Sequence, residues 1–126
     1  MKEKIIVLLS GGAVSLTLLA FTKSLDREVI GLVFDYGQAK HSFSSGKKLE
    51  LAKAMLRKQG LTGYILNMDI APIIEAGFEP HGNISANYIP GKNLAMLSIA
   101  AGIAEAVDAR VIFYGAISDD FDGSPD

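Results

Sequence analysis

Paired glycines flanked by serines, between one apolar run and another, are the first residues here whose types and spacing could do chemistry. The segment Ser10-Gly11-Gly12-Ala13-Val14-Ser15 follows the β-branched and leucine block at 5–9 and leads into a helix-forming block at 14–21. Glycines let the backbone turn sharply and bring N–H groups close to a ligand, and a helix start adds partial positive charge at the same place. The hydroxyls of Ser10 and Ser15 offer two more donors. That combination suits an anion such as phosphate; the simpler alternative is a tight turn and nothing more. The loop lacks the lysine of a GxxxxGK[ST] motif and the third glycine of a dinucleotide fingerprint, so neither describes it.

Other polar positions are weaker signals. Asp35 either pairs with an ordered donor at a strand tip or merely ends the strand. His41 follows the Tyr36-Gly37-Gln38 turn and is a candidate phosphate contact, although an exposed loop histidine is the simpler reading, and more so for His81. The lysines at 47–58 read as the solvated face of a helix. Asp119, Asp120, Asp122 and Asp126 could attract a cation, but an acidic loop tip more simply confers solubility.

The elements that must position these residues follow from periodicity. Short apolar runs at 4–9, 28–35, 63–68 and 110–114 read as buried strands. Between them, 13–24 reads as a helix apolar on nearly every side and pressed between the sheet and other elements. The helix at 45–59 places Leu49, Ala52 and Leu56 on one face, with Gly60 as its left-handed cap. A third helix, 93–107, has Asn93 as its N-cap and small or aliphatic residues that predict burial. Residues 68–92 hold Pro72, Gly77, Pro80, Gly82, Pro90 and Gly91, predicting a long loop with one short helix at 70–75. Alternating strands and helices predict one α/β domain over 1–126. Its core would be an open, doubly wound parallel sheet of four or five strands with helices on both faces, a Rossmann-like arrangement. Ligands of such sheets bind beyond the carboxyl ends of the strands, which directs attention to 10–15, 35–44 and 115 onward.

Composition narrows the function classes. With 126 residues, 49% apolar and 21% charged, the chain can bury a core. Twelve basic and 14 acidic residues leave a net charge of −2, which gives no broad attraction to nucleic acid. The absence of cysteine excludes disulfides, a thiolate zinc site and a cysteine nucleophile. The uncharged stretch 5–21 behind Lys2 and Lys4 has the outline of a signal peptide, but Ser10, Gly11 and Gly12 split it into strand, turn and helix. No other run approaches the roughly 18 apolar residues of a membrane span. The expectation is a soluble cytoplasmic protein with no membrane partner.

Ser10-Gly11-Gly12-Ala13-Val14-Ser15 resembles the SGGxDS pyrophosphate loop of the PP-loop ATP pyrophosphatases, which split ATP into AMP and pyrophosphate to activate a substrate oxygen. Phe34-Asp35-Tyr36-Gly37-Gln38, Tyr88-Ile89-Pro90-Gly91-Lys92-Asn93 and Asp120-Phe121-Asp122-Gly123-Ser124-Pro125-Asp126 resemble three successive signatures of the 7-cyano-7-deazaguanine synthases, FDYGQ, [YF]VPxRN and DxSGYPD. The four motifs stand in the right order and span nearly the whole chain. The resemblance implies an adenine-nucleotide α-hydrolase type of fold and a reaction on the way to the modified base queuosine. In that reaction ATP adenylates the carboxylate of 7-carboxy-7-deazaguanine, ammonia displaces AMP, and further ATP converts the amide to a nitrile. Carried onto this chain, Ser10, Gly11, Gly12, Ala13, Val14 and Ser15 would hold the pyrophosphate end of ATP, and Phe34, Asp35, Tyr36 and Gln38 the adenine side. Lys92 and Asn93 would act beside the phosphates, and Asp120, Gly123 and Asp126 would face the small-molecule substrate, a deazaguanine-type base.

The departures are informative. Val14 replaces the motif's acidic residue, and a valine can neither ligate Mg²⁺ nor accept a hydrogen bond, so metal handling would be weakened. Lys92 replaces an arginine and loses its bidentate fork. Ser124 replaces a tyrosine and Asp122 a serine, so base recognition could differ. Family members continue into a C-terminal part with a four-cysteine zinc site, whereas this chain has no cysteine and hence no zinc. The expectation is therefore a homo-oligomer or a chain completed by a C-terminal partner. Two alternatives remain at this point: a catalytically degenerate nucleotide-binding or interaction module, and a PP-loop enzyme acting on another acid or amide.

Overall fold

Period-two alternation along the two central strands decides how the sheet is covered. The structure, a computed structural model, describes residues 3–40, 43–79, 82 and 89–114, without the side chains of 13–15 and 43–45. Its elements are β1 (Lys4–Leu8), α1 (Ala13–Lys23), β2 (Glu28–Asp35), a 3-10 turn at Gln38–Lys40 and α2 (Phe43–Lys58). They continue with β3 (Thr62–Asn67), α3 (Ala71–Glu75), α4 (Lys92–Val107) and β4 (Val111–Phe113). The four strands form a parallel sheet in the order β3-β2-β1-β4. The chain runs outward from β1 to β3 and then returns to the other side of β1, so the topological switch point lies between β1 and β4.

Ile5, Val7, Leu9, Val29 and Val33 face α1 and α2, meeting Leu19, Leu49, Ala52 and Leu56. Ile6, Ile30, Leu32 and Phe34 face α4 and meet Ala100 and Ala104. Each fully buried Ile or Leu of this kind contributes about 1.5–3 kcal/mol of transfer free energy. Two alanines one helical turn apart let α4 come close to the sheet. Its far end is tied down by the Lys4 ammonium, which donates to Val107 O at 3.1 Å, where a cation also complements the helix dipole.

The α/β architecture with helices on both faces is as the sequence predicts, and four strands are found among the described residues. Three details differ. First, α1 is not covered all round: Leu19 and Thr22 are buried, but Leu16 and Phe21 are each about half exposed, at 52% and 53%. A three-residue β4 makes that side of the sheet narrow, so one stripe of α1 is all it can cover. Second, α4 is buried only along Ala100 and Ala104, with Leu94 62% exposed. Third, α4 begins at Lys92, and its N-cap is Gly91 in the left-handed region at φ 73°, not Asn93. Glycine takes that conformation without a side-chain penalty, which places Asn93 in the first turn. Strand ends move by a residue at β1, β3 and β4, the ordinary fraying of element boundaries.

Candidate functional site at the carboxyl edge of the sheet

The loop after β1 opens directly onto the switch point. Leu9 N–H donates to Leu32 O at 2.8 Å, extending the ladder one residue past β1 before the chain turns away. Gly11 then takes φ +83°, and Gly12 is extended at φ −85°, ψ 173°, as the N-cap of α1. Gly12 O accepts from Leu16 N–H at 3.1 Å, closing the first helical turn. Gly12 N–H donates to Ser10 Oγ at 3.4 Å. Gly12 itself offers no side-chain cap and the first turn has no acidic residue, so the positive end of α1 meets the loop without a carboxylate of its own.

The two glycines have different jobs. A Cβ on Gly11 would lie 1.9 Å from Lys48 O and 2.7 Å from its carbonyl carbon, inside the backbone of α2. Gly11 is therefore where the loop rests on α2. Among the described residues a Cβ on Gly12 would meet only Ser10 Oγ, at 3.7 Å. Room for a ligand is a property of Gly12.

At the tip of β2 the side chains of the FDYGQ segment hold their own turn. Asp35 Oδ1 accepts from Gly37 N–H at 3.1 Å, the ordered donor that ends the strand. The Gln38 amide is used at both ends: Nε2 donates to Phe34 O at 3.0 Å, and Oε1 accepts from Tyr36 N–H at 2.8 Å. Gln38 is buried for this purpose, and Phe34 is buried in the α4-facing core. In Gln38→Glu a carboxylate oxygen would face Phe34 O in place of a donor. Unfolding by urea should show a loss of about 1–3 kcal/mol, the cost of an unsatisfied buried group; a midpoint equal to wild type would show that the amide does not hold the turn.

From the opposite side, Lys92 in the first turn of α4 places its Nζ 5.0 Å from the centroid of the Tyr36 ring. The β2 tip and the start of α4 are thus brought together, with the half-buried Asn93 adjacent in sequence. A shallow depression of about 200 Å³ lies beside them, between Tyr36, Gly37 and Lys40 on one side and Asp69, Ile74 and Glu75 on the other.

Sequence reasoning missed Lys53. The sequence places it with the solvated lysines of α2, yet its side chain is 22% exposed and its Nζ lies 3.8 Å from Asp35 Oδ2 and 3.6 Å from Glu50 Oε1. Its position is adjacent to the buried stripe, one turn after Leu49 and just before Leu56, which is the signal that could have found it. Asp120, Gly123 and Asp126 lie outside the described residues, as do His41 and His81. Among the described residues no group of three or more His, Asp or Glu side chains could hold a metal ion. No helix among them is long and apolar enough to cross a membrane.

A parallel sheet whose glycine loop opens at the switch point, before an uncapped helix, defines a Rossmann-like α/β domain. Residues 4–126 match the family described as Queuosine biosynthesis protein QueC, and the chain belongs to that family. It is 40% identical over 131 residues to the 7-cyano-7-deazaguanine synthase of Picrophilus torridus, covering 96% of this chain and 54% of the relative. The synthase of Thermoplasma acidophilum is 36% identical over 137 residues, with 99% and 56% covered. That of Ralstonia nicotianae is 37% identical over 134 residues, with 100% and 59% covered. The chain thus spans little more than half the length of these curated relatives.

Proposed function

We propose that this chain carries the ATP-binding, adenylating part of a 7-cyano-7-deazaguanine synthase and works on a deazaguanine-type acid in the cytoplasm. The observation that carries the proposal is Gly12, which opens the β1 loop toward the uncapped start of α1 within a chain of this family. In this reading residues 1–126 are one nucleotide-binding domain. Backbone N–H groups of the 10–15 loop hold the pyrophosphate end of ATP against the positive end of α1. The turn held by Gln38 and Asp35 presents the adenine side. Lys92 supplies positive charge where negative charge builds up on the departing pyrophosphate, and Asn93 acts beside it. Asp120, Gly123 and Asp126 contact the base.

The substrate carboxylate attacks the α-phosphorus, and the bond to the pyrophosphate oxygen breaks, giving an acyl adenylate. Ammonia then displaces AMP to form the amide. A second ATP activates the amide oxygen, whose loss as AMP leaves the nitrile. A homo-oligomer or a separate C-terminal partner would complete the protein in this proposal.

Because Val14 cannot serve Mg²⁺, pyrophosphate release should be low in this chain and rise several-fold in Val14→Asp, which restores a hard oxygen donor at the loop. A release assay with 7-carboxy-7-deazaguanine, ATP, Mg²⁺ and ammonium tests this. Turnover in wild type equal to or above that of Val14→Asp would absolve Val14. No acid-dependent release from either protein would overturn the synthase proposal.

A further inference from the structure

We propose that Tyr36 is a positioning residue for Lys92, holding the lysine ammonium at the carboxyl edge of the sheet through the face of its ring. The proposal rests on the nucleotide function above. Lys92 is the first residue of α4, behind a left-handed Gly91 that provides no side-chain cap, and the first turn contains no acidic residue. A cation there meets the positive end of its own helix dipole, and dipole repulsion would send a flexible lysine out into solvent. Among the described residues no carboxylate pairs with it. Instead its Nζ lies over the Tyr36 ring, at 5.0 Å from the centroid, within the range where a ring quadrupole attracts a cation.

The ring is a fixed platform. Tyr36 N–H is bonded to Gln38 Oε1, and the side chain packs against the α4-facing core together with Met96. A lysine is a point charge on a long stem with many rotamers, so a fixed ring face restricts where that charge can be. Ordering it before the nucleotide arrives removes part of the cost of binding. The requirement is for an aromatic face, and the phenol hydroxyl has no part in it.

The test is calorimetric titration of the wild-type chain, Tyr36→Phe, Tyr36→Leu, Lys92→Met and the Tyr36→Leu/Lys92→Met double variant with ATP and, separately, adenosine, after thermal melts establish folding. Tyr36→Phe, which keeps the ring face, should retain the difference between ATP and adenosine affinity that wild type shows. Tyr36→Leu should weaken ATP about two- to five-fold more than it weakens adenosine, the size of a partly exposed cation–π contact. In the Lys92→Met background Tyr36→Leu should add no further loss. Tyr36→Met, apolar and of similar reach, replaces the leucine variant if that one is unfolded at the assay temperature. Unchanged ATP binding in Tyr36→Leu would overturn the proposal. So would an equal loss with and without Lys92, or a parallel loss of adenosine affinity, each of which assigns the ring to direct contact or packing. A wild-type chain that binds no ATP overturns the nucleotide function and this inference with it, whereas the other results overturn the inference alone.

Discussion

Gly11→Ala should lower the stability of this protein by about 2–5 kcal/mol, and its melting temperature by roughly 6 °C or more for a domain of this size. Two costs add. At φ +83° an L side chain is strained by about 1–2 kcal/mol. The new methyl would also stand 1.9 Å from Lys48 O, and the obstacle is helix backbone, which cannot rotate aside. Relief requires α2 to move, and α2 brings Leu49, Ala52 and Leu56 to the core under β1 and β2. Overpacking of this kind typically costs a further 1–3 kcal/mol. Differential scanning calorimetry measures the effect; a melting temperature within about 2 °C of wild type would mean that the loop does not rest on α2.

Gly12→Val should do the opposite: leave the fold almost intact and remove nucleotide binding. Its backbone, at φ −85° and ψ 173°, is open to any residue, and the nearest atom to a new Cβ among the described residues is Ser10 Oγ at 3.7 Å. Stability should change by no more than about 1 kcal/mol, the usual scale for an N-cap substitution. The isopropyl group would fill the space over the uncapped start of α1. ATP affinity should therefore fall at least about tenfold, or 1.4 kcal/mol. Parallel melts and titrations separate the two glycines, because one change should act on stability and the other on binding. A Gly12→Val chain that binds ATP like wild type would place the nucleotide elsewhere.

Much of this was legible in the sequence. β2 begins at Glu28 and ends at Asp35 as the apolar run predicts, and a short helix appears before Gly77. Local signals suffice for such elements, because period and turn residues are read within a few positions. The jobs of Gly11 and Gly12 were not legible, since they are told apart by Lys48 O, an atom of another element. Gln38 illustrates the same limit. Its place in a motif suggests a ligand contact, whereas its amide bonds the backbone on either side of it, a fact of rotamer and burial. The exposed outer faces of α1 and α4 escaped because apolar composition says what could be buried, and the width of the sheet decides what is. Lys53 was hidden by the other lysines of α2, although its position beside the buried stripe distinguished it.

In the proposed function the loop after β1 receives the polyphosphate of an adenine nucleotide. Isothermal titration of the folded chain with ATP, with Gly12→Val in parallel, tests it most directly. Saturable binding near one nucleotide per chain is expected, weakened at least about tenfold by Gly12→Val at nearly unchanged melting temperature. Absence of saturable heat at millimolar ATP in well-folded wild type would contradict it.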